Sequence, residues 1–354
     1  MKVLGIETSC DECAAAIVED GRKVLSNIIH SQIPFHAAYN GVVPEIAGRK
    51  HIEWIQAVVK EAVDSSGCGF DGIDAVAASF QPGLLGSLLV GLNFAKAFAW
   101  AKGLPFIAID HMLAHLYACN LEKEGIKSAQ ESKPQYPFLG LLVSGGHSFI
   151  CRTDNFDDIT VLGATIDDAA GEAFDKVSKH YGFGYPGGLV IDKLAEKGNP
   201  EAYNFPLPNL KSKNICDFSF SGLKTAAIHQ LEQFRVSKET KEESNFVFSN
   251  EDLAASFQKT AVDILLRGLF KAVECTGIKT IVAGGGVAAN SLLRTRLAER
   301  SDLNCIFPPM EFCGDNAAMI AGIAYQYILR GETSPLSITA SARVKGLKRM
   351  LSRS

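Results

Sequence analysis

The chain has 354 residues, of which 47% are hydrophobic and 21% charged, and its formal net charge is -4. This length allows two ordinary domains with sizeable cores, and the small negative charge argues against a protein that coats nucleic acid over its whole surface. Nine cysteines, odd in number and irregularly spaced, suit a reducing compartment and argue against a disulfide framework.

We expect a cytoplasmic protein without a membrane span. Gly, Ser, Asn and Lys interrupt the apolar runs before they reach the roughly 20 residues that a transmembrane helix needs. The amino terminus leads directly into a predicted strand and carries no signal-peptide pattern.

The first predicted element is a β-hairpin over residues 3–20, whose tight turn carries two carboxylates, Asp11 and Glu12. Either carboxylate could act as a general base or orient a substrate, or the aspartate could cap the turn while the glutamate is solvated. Cys10 and Cys13 have a C-x-x-C spacing, which could be a redox pair or half a zinc site. No second C-x-x-C occurs, so we favour a turn without redox function.

Next come a helix over about residues 45–63, a strand over 73–79, a glycine-rich turn at 82–87 and a long helix. A strand at 104–109 then leads into Asp110, a good N-cap residue. His111 and His115 follow at i and i+4, so their imidazoles lie on one helix face. This is a metal-ligand spacing, although ordinary core or surface histidines can also show it.

A metal site needs at least one further ligand. The best choice is Asp315 in the string CGDNAAM, because it also lies in a turn that opens a helix. Two imidazoles and one carboxylate would leave an open coordination position for a substrate. The sequence therefore predicts a metal site made by His111, His115 and Asp315.

Residues 138–153, FLGLLVSGGHSFICRT, repeat the plan of the first hairpin and indicate a duplicated domain. The charged stretches 120–136 and 236–249 predict exposed connections, the first of them between the two halves. Helices are predicted near residues 168–181, 221–235 and 250–275, followed by the strand and turn IVAGGG and another helix. This alternation indicates an α/β fold.

Two glycine turns could hold a nucleotide. The turn Ser144-Gly145-Gly146 could wrap a phosphate with backbone N–H groups, and residues 284–286, ahead of a helix, could admit a base or ribose. Either could also be a plain structural turn. The chain lacks the Gly-Lys-Ser/Thr ending of a P-loop, and the late glycine run has no matching acid for a dinucleotide fingerprint.

The paired hairpins and the late glycine loop resemble the superfold of actin, hexokinase and the heat-shock ATPases (ASKHA, ribonuclease-H-like). At the level of strings, the chain looks like the TsaD family of tRNA threonylcarbamoyladenosine-synthesis enzymes. The matching strings, in order between residues 5 and 319, are GIETSCDE, GVVPEIAGRKH, PGLLGSLLVG, HMLAH, LVSGGHS, DDAAGEAFDK, YPGG, FSFSGLKT, GGGVAAN and GDNAAM.

The resemblance implies two actin-like α/β lobes with a nucleotide cleft between them. Residues 1–120 would form the first lobe, with residues 320–354 packing back on it. Residues 137–319 would form the second lobe, which carries the nucleotide loops.

The resemblance also implies a set of ligands. His111, His115 and Asp315 would hold one divalent metal, Fe²⁺ in preference to Zn²⁺. A nucleotide (threonylcarbamoyl adenylate, AMP or ATP) would lie in the cleft, where Asp175 or Asp192 could accept hydrogen bonds from its ribose. The implied substrate-binding residues are Leu142, Val143, Ser144, Gly145, Gly146, Asp175, Gly188, Asp192 and Asn290.

The implied reaction transfers the threonylcarbamoyl group from its adenylate to the N6 amine of the adenosine next to the anticodon, in tRNAs reading codons that begin with A. AMP is released. Besides tRNA, the implied partners are a TsaB-like paralogue forming a heterodimer through the first lobe, a TsaE-like ATPase and a TsaC-like synthase that supplies the adenylate. We place the dimer surface on the helix containing PEIAGRKH. Leu142 stands where archaeal and eukaryotic relatives tend to carry Tyr, which indicates the bacterial or organellar branch.

Three other functions remain to be weighed. A zinc peptidase of the H-E-x-x-H type would need a glutamate that HMLAH lacks. A small-molecule kinase of the same superfold would use Mg²⁺ and would not need two imidazoles. A non-enzymatic paralogue would not need to retain His111, His115 and Asp315.

Three features stay open at this point. Gly314 stands where the family has Thr, and we expect it to loosen the turn that holds Asp315. His147 could approach the metal or the nucleotide, or it could be an ordinary polar loop residue. The chain end could be solvated or could contact phosphates through Arg343, Lys345, Lys348, Arg349 and Arg353.

Overall fold

The computed structural model describes residues 1–39, 41–125, 133–210, 214–240, 249–344 and 348–349. Within these ranges helices cover two β-sheets, which confirms the α/β prediction. The predicted basic chain end lies partly outside them, because Lys345 and Arg353 are not among the described residues. No helix in the described ranges combines the length and apolar character needed to cross a bilayer.

The first half of the chain forms a five-stranded sheet. Its elements are β1 (Lys2–Glu7), β2 (Glu12–Glu19), β3 (Lys23–Ser31), α1 (Ile33–His36), α2 (Pro44–Ser66), β4 (Ala75–Gln81), α3 (Leu85–Lys102), β5 (Phe106–Asp110) and α4 (His111–Tyr117). The strand order is β3-β2-β1-β4-β5. β1 runs antiparallel to β2 and parallel to β4, and β5 continues the parallel part.

The rest of the chain forms a second sheet and its helices. The elements are β6 (Phe138–Val143), β7 (Ser148–Asn155), β8 (Asp158–Ala164), α5 (Ala170–Tyr181), α6 (Gly187–Ala195), α7 (Ser221–Thr240), α8 (Asn250–Thr276), β9 (Thr280–Gly284), α9 (Ser291–Ala298), β10 (Asn304–Ile306), α10 (Ala317–Leu329) and β11 (Lys348–Arg349). The strand order is β10-β9-β6-β7-β8-β11.

The two sheets share one topology, which confirms the predicted duplication. β6 runs antiparallel to β7 and parallel to β9, as β1 does to β2 and β4, and β10 continues the parallel part as β5 does. The hairpin turn after β1 is therefore equivalent to the turn after β6. These are the two turns that the sequence singles out.

The first sheet is buried on both faces. Ala14 and Ala16 of β2 pack into one apolar cluster with α10, whereas Ala15 and Ile17 pack into another with α2 and α3. Small side chains let helices approach a sheet closely on both sides. At Gly5 of β1 the approach is so close that an added Cβ would lie 2.7 Å from a backbone nitrogen of α10.

The chain after residue 316 returns to the first sheet. α10 packs on β1, β2 and β4. Ser334 then donates from its backbone N to the Phe106 carbonyl at 2.7 Å, and Ser341 donates to the Phe80 carbonyl at 2.9 Å. β11 pairs with β8 of the second sheet instead. The lobe boundaries near residues 120, 137 and 319 stay a prediction.

The structure differs from the sequence expectations in several elements. The glycine-rich stretch 82–87 is a turn only in its first half, since α3 begins at Leu85, and α7 runs to Thr240, into the predicted connection. β3, β8 and α6 were not anticipated. β3 mixes buried and exposed residues without regular alternation, and α6 begins with two glycines, which are poor helix formers.

Candidate functional site

The short helix α4 is held at its start by a side-chain cap. Asp110 Oδ1 accepts hydrogen bonds from the backbone N of Met112 at 2.8 Å and of Leu113 at 3.4 Å, as expected of an N-cap residue. Its other oxygen accepts from Gln81 Nε2 at 2.9 Å. The predicted cap is confirmed, and it fixes where the helix carrying the two histidines begins.

The two histidines and Asp315 form a compact triangle of potential ligand atoms. The Nε2 atoms of His111 and His115 are 3.1 Å apart. Asp315 Oδ1 lies 3.2 Å from His115 Nε2 and 3.5 Å from His111 Nε2. The structure therefore brings together the three residues that the sequence predicted as a group, although His115 and Asp315 are 200 positions apart.

This triangle has the dimensions of a metal site. Imidazole and carboxylate ligands lie about 2.1 Å from a bound divalent ion, so their atoms are about 3.4 Å apart in tetrahedral geometry. The ligand atoms of these three residues, within the described part of the chain, all lie within 4.8 Å of one another. The donor set suits Fe²⁺ or Zn²⁺ and does not distinguish between them.

The electrostatics of the triangle favour a positive charge at its centre. Burial alone would lower the pKa of His111, but the carboxylates of Glu7 and Asp315 outweigh burial and raise it. Burial would likewise raise the pKa of Asp315, yet the two histidines lower it. Burial and the neighbouring His111 lower the pKa of His115. The same two carboxylates, Glu7 and Asp315, would attract a metal cation at the centre of the triangle.

The turn that carries Asp315 is fixed by its neighbour. Asn316 donates from Nδ2 to the Gly314 carbonyl at 2.8 Å, while its Oδ1 caps α10 by accepting from Met319 N at 3.0 Å. An added Cβ at Gly314 would meet no atom within 4 Å. The expected loosening by Gly314 is therefore opposed by Asn316, which ties the turn to the helix behind it.

Asp11 and Glu12 follow β1 in the first hairpin, and they lie at the edge of the same site. Asp11 is buried, and Glu12 is half-buried and accepts from Ser31 Oγ at 3.3 Å. Burial, Asp11 and Asp315 together raise the pKa of Glu12 well above its usual range.

The two glycine turns pack directly on each other. Ser144 N donates to the His147 carbonyl at 2.8 Å and closes the turn after β6. Gly285 lies beneath that turn at φ 88°, where an added Cβ would come within 2.8 Å of the Val143 carbonyl carbon. Added Cβ atoms at Gly145 and Gly146 would meet no atom within 4 Å. The turn has a packed base and an open tip, as a phosphate loop requires. Leu142 and Val143 are fully buried in β6.

The remaining predicted substrate residues fall into two groups. Asp175 of α5 accepts from Gly187 N at 2.7 Å, at the start of α6, and Gly188 follows with open space beside its Cα. Asp192 accepts from Asn290 Nδ2 at 3.1 Å. Asn290 Oδ1 caps α9 by accepting from Leu293 N at 3.0 Å. The pair Asp192 and Asn290 is therefore already engaged in holding the start of α9.

Three residues of the site were missed or left open by the sequence analysis. His147 lies close enough to His111 and His115 that, together with burial, they lower its pKa to about 4. Tyr185 faces Asp11 and Asp175, and burial together with these carboxylates raises its pKa. Glu7 contacts His111 from behind. The only sequence signal for Glu7 was a carboxylate ending an otherwise apolar strand.

The pKa of Asp175 can be used to test whether Asp175 lies close to Asp11 of the first hairpin. Burial raises it from 3.8 to about 6, the hydrogen bond from Gly187 N opposes this, and Asp11 adds to it. We expect carboxyl NMR titration to find this value in the wild type and a lower one in Asp11→Asn. The substitution Asp154→Asn, at a surface carboxylate paired with Arg152, should leave it unchanged. Equal titration of Asp175 in wild type and Asp11→Asn would contradict the facing arrangement.

The same shift affects stability in a defined direction. The folded chain holds a proton on Asp175 between about pH 4 and pH 6, where the unfolded chain has released it. The contribution of Asp175 to the free energy of unfolding therefore falls as the pH rises through this window. Asp175→Asn should remove that contribution.

Comparison with known proteins gives three findings. The family model described as "TsaD: tRNA N6-adenosine threonylcarbamoyltransferase" matches residues 23–322. A protein of Treponema denticola named tRNA N6-adenosine threonylcarbamoyltransferase is 59% identical over 350 residues, which cover 99% of each chain. A Borrelia duttonii protein of the same name is 47% identical over 349 residues and 98% of each chain.

Among solved structures, component A of (R)-2-hydroxyglutaryl-CoA dehydratase from Acidaminococcus fermentans superimposes with a TM-score of 0.54. The match covers 93% of this chain and 99% of the other at 14% sequence identity. At that identity the likeness shows the fold alone. It confirms the predicted architecture of two actin-like lobes.

Proposed function

The chain belongs to the TsaD family of tRNA N6-adenosine threonylcarbamoyltransferases, and on this premise we propose that its threonylcarbamoyl transfer takes place beside His111, His115 and Asp315. It is a transferase of tRNA modification, and its spirochaetal relatives place it in the bacterial branch. The observation that carries the proposal is the triangle of potential metal ligands made by His111, His115 and Asp315.

The three ligands would hold one divalent metal, with Fe²⁺ as our first choice. Bound there, the metal would act as a Lewis acid toward the threonylcarbamoyl group. The nucleotide part of threonylcarbamoyl adenylate would lie over the tip at Gly145 and Gly146, where no side chain blocks the approach of a phosphate to the backbone. Asp175 would accept a hydrogen bond from a ribose hydroxyl.

The accepting amine of adenosine is a weak nucleophile, because its lone pair is delocalised into the ring. Orientation must therefore supply much of the rate. The amine nitrogen attacks the carbamoyl carbon, the bond from that carbon to the phosphate oxygen breaks, and AMP leaves. The proton released from the amine goes to a carboxylate, for which Asp11 and Glu12 are the candidates.

The proposed partners are tRNA, a TsaB-like paralogue, a TsaE-like ATPase and a TsaC-like synthase, all in the cytoplasm. The target adenosine lies in an RNA loop, where a base can be turned outward without opening a duplex. For the paralogue, α1, α2 and the 3₁₀ helix between them (Ala37–Tyr39) offer exposed apolar side chains: Phe35 is 43% exposed, Tyr39 57% and Ile52 66%. A surface of this kind is typical of a protein contact.

The test is transfer of labelled threonine into tRNA by the chain with its partner proteins, bicarbonate and ATP. The matched control is the same tRNA with inosine in place of the accepting adenosine, because inosine lacks the exocyclic amine. We expect label only in the tRNA that carries adenosine, with one AMP released for each threonine transferred to it. Absence of label from both tRNAs would contradict the proposal, and ADP formed from ATP by the chain alone, without the ATPase partner, would favour a kinase.

A further inference from the structure

We propose that Glu7 is a positioning residue of the metal site, which acts through His111 and does not touch the metal. This inference rests on the proposed metal at His111, His115 and Asp315. In it, the Glu7 carboxylate accepts a hydrogen bond from His111 Nδ1, and the Nε2 lone pair is thereby directed at the centre of the triangle.

Glu7 occupies an unusual place for a carboxylate. It is the last residue of β1, it is 0% exposed, and the five residues before it belong to the same strand. A buried carboxylate is costly unless hydrogen bonds or a cation compensate it. The ion pair that the described structure gives to Glu7 is with His111, whose Nδ1 lies 2.9 Å from its Oε2.

The two oxygens of Glu7 have different partners. Oε1 accepts from Ser9 N at 2.5 Å and from Ser79 Oγ at 3.2 Å, which ties the carboxylate to the first hairpin turn and to β4. Oε2 is left to face His111. The hydrogen bonds to Oε1 therefore hold the carboxylate group in place, with Oε2 directed toward His111. This orientation does not depend on the contact with the imidazole alone.

The chemistry of the contact determines the histidine tautomer. An ionised carboxylate can only accept hydrogen bonds, so Nδ1 of His111 must carry the hydrogen. In a neutral imidazole, Nε2 is then the unprotonated nitrogen, and it is Nε2 that lies 3.5 Å from Asp315 Oδ1. Metal-bound histidines commonly hold their second nitrogen against a carboxylate in this way.

Charge leads to the same conclusion. Two neutral imidazoles and one Asp315 carboxylate leave a divalent ion with one uncompensated positive charge. Glu7 supplies the missing negative charge one imidazole away from the metal. The group would then be neutral overall, which is the state that burial favours.

The two histidines differ in this respect. His115 Nδ1 is buried and has no hydrogen-bond partner in the described structure, whereas His111 Nδ1 has Glu7 Oε2 at 2.9 Å and, farther away, Ser9 Oγ at 3.3 Å. Glu7 therefore acts on the metal site through His111 and not through His115. We expect its loss to weaken metal binding by about 10-fold to 100-fold, the usual cost of removing an outer-shell partner.

The experiment measures Zn²⁺ and Fe²⁺ affinity by competition with a chromophoric chelator, on the full chain. The variants are Glu7→Gln, which keeps the shape and removes the charge, Ser79→Ala, which removes a Glu7 hydrogen bond remote from the histidine, and His115→Ala. We expect weaker binding in Glu7→Gln, a smaller loss in Ser79→Ala because Ser9 N still holds Glu7 Oε1, and no binding at this site in His115→Ala.

Two results would overturn the role of Glu7. Equal affinities of wild type and Glu7→Gln would do so, and so would equal losses in Glu7→Gln and Ser79→Ala, because the role would then be structural. If His115→Ala binds metal as the wild type does, the metal site itself is wrong. A second measurement needs no variant: in the Zn²⁺-loaded wild type, ¹⁵N NMR should find His111 protonated at Nδ1, and the opposite tautomer would overturn the proposal.

Discussion

Replacing His115 by alanine is expected to remove metal binding and to reduce threonine transfer to tRNA by more than about 100-fold, beyond the usual cost of losing an outer-shell partner. Of the three potential ligand atoms, His115 Nε2 lies nearest to the other two, at 3.1 Å from His111 Nε2 and 3.2 Å from Asp315 Oδ1. Without it two ligands remain, which is too few to hold a divalent ion firmly. Metal content and transfer are measured on the same preparation.

The matched control for this variant is His229→Ala. His229 lies in α7 and is exposed, so its removal costs neither a ligand nor core packing. Because His115 is fully buried, His115→Ala also leaves a cavity, and the folded fraction must be measured alongside. Metal lost with transfer intact would mean that transfer does not need the metal. Metal and transfer both unchanged would remove the triangle from the proposed site.

Local patterns made much of this site predictable. The spacing of His111 and His115 and the capping residue Asp110 depend on neighbours within one helical turn, and all three were found as expected. The repeated hairpins depend on strand and turn composition, and the shared sheet topology confirms them. Asp315 was placed by a turn motif and by the need for another ligand, and the structure brings it to the histidines.

What the sequence could not reveal depends on contacts between distant segments. Glu7 and His111 are 104 positions apart. From the sequence alone, a glutamate at the end of a strand is predicted to belong to the following turn. Asp192 and Asn290 are 98 positions apart, and each alone looks like a residue free to bind substrate. Their hydrogen bond joins α6 to the start of α9, and no local pattern encodes such a contact between distant segments.

Replacing Gly285 by alanine is expected to give the second large effect, on stability and on nucleotide binding together. Gly285 has φ 88° and ψ 162°, a conformation that is essentially restricted to glycine. Its added Cβ would collide with the Val143 carbonyl oxygen and approach Ser144 Cβ to 3.3 Å. Strain and overpacking together should lower the free energy of unfolding by roughly 2–5 kcal/mol.

Binding should suffer because the collision lies directly beneath the turn at Ser144 and Gly145. Relief of the clash must move either that turn or the loop after β9, and both line the proposed nucleotide cleft. We expect AMP binding, measured by calorimetry at a temperature where the variant is folded, to weaken by more than about tenfold, equivalent to 1.4 kcal/mol.

The adjacent glycine supplies the control, since Gly286→Ala adds the same methyl group one residue later. An added Cβ at Gly286 meets no atom within 4 Å, and its backbone is not in the left-handed region. Its free energy of unfolding in urea should stay within about 0.5 kcal/mol of the wild type. If both variants lost the same free energy of unfolding, the collision at Gly285 would not be the cause of the loss. If Gly285→Ala bound AMP as tightly as the wild type, the packing of this loop against the hairpin would have no part in forming the cleft.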